Sequence, residues 1–284
     1  MLTAISVVLR ILSNSTANLY QKKAGEIRSP LVTNLLTYAI MSAICAIPAL
    51  FVNWSVYSAE FWGYVIIAGA LCTVGTVALI EALKIGELSV LAPINSYKSV
   101  IGLISAIFIL GEFPSFKNLV CIIFIIAGSY FVLNTNNNKF SLNIFFRKDV
   151  RLRFFALLCS GIEAAFLKKI IVMSSYGISL ILWCFSGFLC SLLLFVLKDK
   201  KQIVPPKKIY YSYCLVISVM LLIMQLTTNY VFSKIEVGSA LALFQLSSLV
   251  SIFYGYKLYH EKNMRRKLIG TFIMIISAAI ILAG

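Results

Sequence analysis

Apolar runs long enough to cross a bilayer follow one another along the whole chain, with no long polar stretch between them. At ~20 residues per helical span, they predict ten helices at about 2–20, 31–53, 62–83, 89–110, 117–133, 153–170, 178–197, 209–232, 239–259 and 267–283. The first is the most polar: Arg10 interrupts its apolar stretch, and Ser13-Asn14-Ser15-Thr16 follows with no small-x-small cleavage site. It therefore reads as a weak first span rather than a leader. Trp54 and Trp62 flank the turn between the second and third spans, where amphipathic rings anchor helices at the membrane interface. Ten spans leave only short connections out of 284 residues, so the expected fold class is an all-α membrane protein.

The pattern repeats. Lys84-Ile-Gly-Glu-Leu-Ser-Val-Leu-Ala92 aligns with Lys234-Ile-Glu-Val-Gly-Ser-Ala-Leu-Ala242, Gly111-Glu112 with His260-Glu261, and Gln21-Lys22-Lys23 with Leu167-Lys168-Lys169, in the same order and at nearly constant offset. These matches predict two five-helix repeats, 1–136 and 153–284, joined by a basic connection at 137–152. Five is odd, so the second half enters the membrane from the opposite side, giving inverted-topology repeats related by a pseudo-two-fold axis in the membrane plane. The same register sets Gly102-x-x-x-Ala106 against Ser251-x-x-x-Gly255. Small residues four apart let helices approach closely in lipid, so packing is the preferred reading and a hinge the alternative.

Composition agrees: 61% of residues are hydrophobic and 12% charged, against roughly 25% charged in a soluble domain. The net charge of +15 does not form the aromatic-interleaved patch that nucleic acid requires. Of the 25 Lys and Arg, 19 fall in odd-numbered connections and four in even-numbered ones. By the positive-inside rule the odd connections face the cytoplasm and both termini lie outside, in the cell membrane. Arg153 is counted here with the fifth connection. The seven cysteines lie in apolar runs without C-x-x-C spacing, and His260, the sole histidine, lies in a basic loop. Neither a metal site nor a catalytic triad nor a cofactor is expected, and no G-x-x-x-x-G-K loop points to nucleotide.

Three ionisable residues fall near the middle of their spans: Arg10, Lys98 and Glu163. Each costs ~2.5 to 3.5 kcal/mol on insertion scales if it faces lipid, so they are expected to face a shared interior or one another. Arg10, Asn14, Asn18 and Gln21 lie within about 80° of one helix face. Asn95 and Lys98 extend the polar interior on the fourth span, and Gln225 and Asn229 do so on the eighth. The bland reading is buried pairing and interhelical hydrogen bonding; the functional one is a wet substrate cavity. In the latter, Lys98 is the preferred partner for a substrate carboxylate or phosphate, and Glu163 either pairs with Arg10 or carries a coupling proton. Pro93 bends the fourth span or frees a carbonyl. Glu112 and Glu261 are solvated helix-end acids or gate residues.

Ten helices in two halves, with Leu88-Ser-Val-Leu-Ala-Pro93 leading through the fourth span to Leu110-Gly-Glu112 and a closing apolar helix, resemble the EamA-type branch of the drug/metabolite transporter superfamily. The resemblance implies a central cavity, alternating access, and carriage of small metabolites such as amino acids, often outward. It places the family's helix-end acid on Glu112 and Glu261; Ala242 and His260 depart from the first half's Pro93 and Gly111. Members of that family usually keep both termini cytoplasmic, opposite to the charge count here. The function expected is secondary transport of a small charged or zwitterionic metabolite, with the bilayer, the solute and a coupling proton or ion as partners and no catalytic residues. A receptor or assembly subunit without transport is the alternative, followed by a membrane enzyme acting on lipid-linked substrates. Oligomeric state is not encoded in any pattern found.

Overall fold

The computed structural model describes residues 1–86, 91, 94, 97–133, 146–198, 208–247, 250, 272–277 and 280, with backbone alone at 129–133. Its long helices are α1 (Leu2–Ile27), α2 (Pro30–Ala49), α3 (Ala59–Ile85), α4 (Tyr97–Leu110), α5 (Phe116–Leu133), α6 (Lys148–Met173), α7 (Tyr176–Lys198), α8 (Lys208–Phe232) and the short α9 (Val237–Phe244). Within 272–277 the chain is again helical. Among the described residues four helices are long and apolar enough to cross a membrane: α2, α3, α7 as far as Leu197, and α8. Large apolar side chains such as Ile47, Phe108 and Leu193 point outward, and lipid is the solvent in which such a surface is stable.

Serine caps set several boundaries. Ser29 Oγ accepts from Val32 N at 3.4 Å with Pro30 opening α2, and Ser58 Oγ accepts from Phe61 N at 3.3 Å to start α3. The Ser115 and Ser175 hydroxyls accept from Asn118 N and Ile178 N, both at 3.2 Å. Each side chain satisfies an N–H that a helix start leaves orphaned. At the end of α4, Gly111 adopts φ 69, a left-handed value that favours glycine. Its N–H bonds Ile107 O at 3.2 Å while Glu112 N reaches back to Ala106 O at 3.3 Å, which turns the chain sharply.

Helix ends differ from expectation in an informative way. α1 continues to Ile27, so Lys22 and Lys23 lie in helix, and α6 begins at Lys148, so Arg151 and Arg153 do too. Hydropathy placed these cations in connections; the backbone continues helical past the apolar core of each span. In the ninth span α9 ends at Phe244, where Gln245 N and Leu246 N bond Ala242 O and Leu243 O in a tightened turn, and residues 247 and 250 beyond it are again helical.

The arrangement follows the repeat. The C-terminal ends of α1 and α3 meet: Lys22 Nζ donates to Gly86 O at 3.1 Å. α6 runs against α3, with Lys169 Nζ donating to Tyr64 OH at 3.0 Å and Gly75 abutting Cys159. Hence α1 and its repeat partner α6 are antiparallel. So are α2 and α7, where Asn34 Nδ2 donates to Ser191 Oγ at 2.9 Å and Ser42 Oγ to Cys184 O at 3.0 Å. The two most extensive helix contacts, α3 with α6 and α1 with α8, exchange under the repeat. Close packing is possible because small residues meet. A Cβ on Gly161 would lie 2.5 Å from Ile101 Cγ2 and 3.4 Å from Gly102 N, so α4 and α6 touch nearly backbone to backbone.

Candidate functional site: a central charged cavity

The helices enclose a cavity of about 130 Å³, comparable to the ~150 Å³ cavity that admits benzene. α6 contributes a stripe at 3.6-residue spacing, from Arg153 through Leu157 and Ser160 to Glu163 and Leu167. α1 contributes Arg10, Asn14, Asn18 and Gln21, the face that the spacing predicted, and α4 contributes Lys98. Gln225 and Thr228 line it from α8, and Phe244 from α9.

The charged groups have different surroundings. Glu163 Oε1 accepts from the Trp183 indole at 2.8 Å. The Trp183 ring packs against Tyr38, with centroids 5.0 Å apart, and Tyr38 OH meets Cys72 Sγ at 2.8 Å. Lys98, half-buried, lies within electrostatic reach of Glu163. Arg10 is 6% exposed, and its guanidinium carbon sits 4.1 Å from the Phe244 ring centroid. Among the described residues its Nε and Nη1 find no hydrogen-bond partner. Of the two readings of Glu163, the pair with Arg10 is not among the ion pairs of the described residues. The carboxylate is held toward α7 by the indole, and the guanidinium carbon lies over the Phe244 ring. Cation–π contact of a desolvated guanidinium is worth about 2 kcal/mol, which offsets only part of the cost of burying the charge.

Several other polar side chains are satisfied within the bundle, whereas Gln21 Oε1 on the α1 face finds no hydrogen-bond partner among the described residues. Thr228 Oγ1 donates to Met224 O at 2.7 Å, the common in-helix bond of a membrane hydroxyl. Gln225 Nε2 donates to Asn229 Oδ1 at 2.8 Å, and Asn229 Nδ2 donates to Tyr176 O at 3.1 Å. Gln225 lines the cavity; Asn229, fully buried, does not, and ties α8 to the start of α7. Gly102 packs against Gly161 and Leu241, and Ala106 is buried nearby. Asn95, Ser251, Gly255, Pro93, His260 and Glu261 lie outside the described residues.

Sequence reasoning missed three participants. Arg153, assigned to a connection, lines the cavity and is 7% exposed. Stepping back from Glu163 along its helical face, through Ser160 and Leu157, arrives at Arg153, so the signal was present. Trp183 and Phe244 carried none, since an aromatic in an apolar span reads as core. Glu112 is also more engaged than an exposed helix-end acid. Oε1 is 3.3 Å from Lys168 Nζ, and Oε2 accepts from Val237 N, the first residue of α9, at 3.0 Å. Lys168 Nζ also donates to Ile235 O at 2.9 Å. The Gly111 turn thus delivers an acid that clasps α4, α6 and α9 together.

Helices of opposite orientation in two repeats around a central cavity with midspan charges are the architecture of inverted-repeat membrane transporters. The chain belongs to the EamA-like transporter family, which matches residues 1–134 and 150–283. A solved structure titled only "Crystal structure of protein" is similar over 98% of this chain and 95% of its own, with a TM-score of 0.75 at 14% sequence identity. That likeness concerns the fold alone. No curated protein sequence matches.

Proposed function

We propose that the protein is a ten-helix secondary transporter that moves a small charged or zwitterionic organic metabolite across the cell membrane by alternating access. The observation that carries this reading is one cavity, lined from both repeats, whose wall carries Arg10, Lys98, Arg153 and Glu163. Intramembrane charges are costly and mark substrate or ion pathways, and two halves of opposite orientation can exchange inward-open and outward-open arrangements around one site. Glu163 is the group suited to carry a coupling proton, since it is the acid among the residues that line the cavity. Odd-numbered connections face the cytoplasm in this reading.

The test is solute-dependent thermal stabilisation of the purified protein across a metabolite library, followed by flux of the stabilising solutes into liposomes. Saturable, gradient-driven flux of charged or zwitterionic solutes is expected. Stabilisation without flux for every such solute rejects transport and favours a receptor.

A further inference from the structure

We propose that Arg10 is the docking group for a carboxylate of the transported solute, and that the substrates are therefore small organic carboxylates. The proposal rests on the reading of the central cavity as a transport site and assigns its anion subsite to one side chain. Among the described residues Arg10 makes no ion pair, and two of its guanidinium nitrogens make no hydrogen bond to protein although the residue is 6% exposed. Buried polar groups in native proteins are nearly always partnered, so an orphaned guanidinium at the wall of a cavity points to a ligand. The other charged groups that line the cavity do not fill the role: Glu163 is an acid bonded by Trp183, Lys98 lies within electrostatic reach of Glu163, and Arg153 has an interaction of its own.

Geometry narrows the ligand. The Phe244 ring centroid lies 4.1 Å from the guanidinium carbon, and Nε and Nη1, in the guanidinium plane, are the donors left without a protein partner among the described residues. Such donors match the planar, singly charged carboxylate. Along the same face of α1, Asn14 and Asn18 line the cavity, at successive steps of ~6 Å along the helix, and supply amides for hydroxyl or amino groups on the body of the solute. The cavity volume of about 130 Å³ limits that body to a small molecule.

The test uses the full-length protein in nanodiscs and a matched series of probes: three- to six-carbon monocarboxylates with and without hydroxyl or amino substituents, the primary amide of each, and methyl phosphate. Thermal stabilisation by the acids and not by the amides is expected. Arg10→Gln should weaken carboxylate affinity roughly 10- to 100-fold, the range for a hydrogen bond to a charged group, and Arg10→Lys should recover only part, because ammonium lacks the planar fork. Arg10→Met should leave the solute-free protein as thermally stable as the wild type or more so, a result opposite to that of a structural arginine.

Equal response to acids and amides, no response to any acid, or full carboxylate affinity in Arg10→Gln overturns the assignment. Preference for methyl phosphate over every acid overturns the carboxylate class. Flux of neutral or cationic metabolites that is identical in the wild type and Arg10→Gln leaves the transport reading standing while Arg10 loses its role. Absence of flux for every stabilising solute removes the transport reading itself.

Discussion

Arg10 and Glu163 illustrate how much depends on a single side chain's neighbours. Both lie near midspan, and on charge alone they invite pairing. The Trp183 indole at 2.8 Å decides otherwise by fixing the Glu163 carboxylate on the α7 side, leaving Arg10 on Phe244. If Glu163 carries the coupling proton, Glu163→Gln should abolish the response of solute flux to an imposed pH gradient in liposomes while solute exchange without a gradient persists. Undiminished pH-driven flux in that variant would place coupling on another group. The α1 face of Arg10, Asn14, Asn18 and Gln21 was readable from spacing, because a 3.6-residue period fixes direction before any fold is known. The satisfaction of Asn229 by the Tyr176 carbonyl was not, since it depends on where α7 begins relative to α8.

Among the helices, stability depends on close approach. The contact of α4 with α6 is built on Gly102 and Gly161, where an added Cβ on Gly161 meets Ile101 at 2.5 Å. Gly161→Leu should therefore lower thermal stability by about 1 to 3 kcal/mol, the usual cost of overpacking. Gly63 on α3 has nothing within 4 Å of an added Cβ, and Gly63→Ala should be neutral or mildly stabilising. Thermal denaturation in detergent measures both, and equal effects at the two sites would contradict the packing account. Helix existence was legible throughout the described chain because spanning apolar runs leave no other solution in lipid. Helix ends were less so. Hydropathy stops at the last apolar residue, whereas α1 and α6 continue through Lys22, Lys23, Arg151 and Arg153.

For the whole molecule, the open matter is which way it sits in the membrane. Moving Arg153 from a connection to the cavity wall takes one cation from the odd-side tally and leaves the bias strong, because the clusters at 198–208 and 257–267 are untouched. A reporter active only in the cytoplasm, fused after Gly284, should be silent, and a periplasmic-type reporter there should be active. Strong cytoplasmic activity would reverse the orientation. The Glu112–Lys168–Val237 clasp shows what the repeat alone could not, because it joins residues 56 and 69 positions apart in sequence through a left-handed turn at Gly111.

The sequence by itself determined the membrane class, the duplication, the small-residue packing motif and most of the polar cavity faces, since each follows from a local period or a composition that lipid selects. Only the tertiary structure decided the partners: that Glu163 is bonded to Trp183, that Arg153 belongs to the cavity, that Asn229 does not, and that Arg10 is backed by Phe244 with two guanidinium nitrogens unbonded among the described residues. Pairing depends on which faces of different helices meet, and helix phase along one chain carries no information about that meeting until the bundle is assembled.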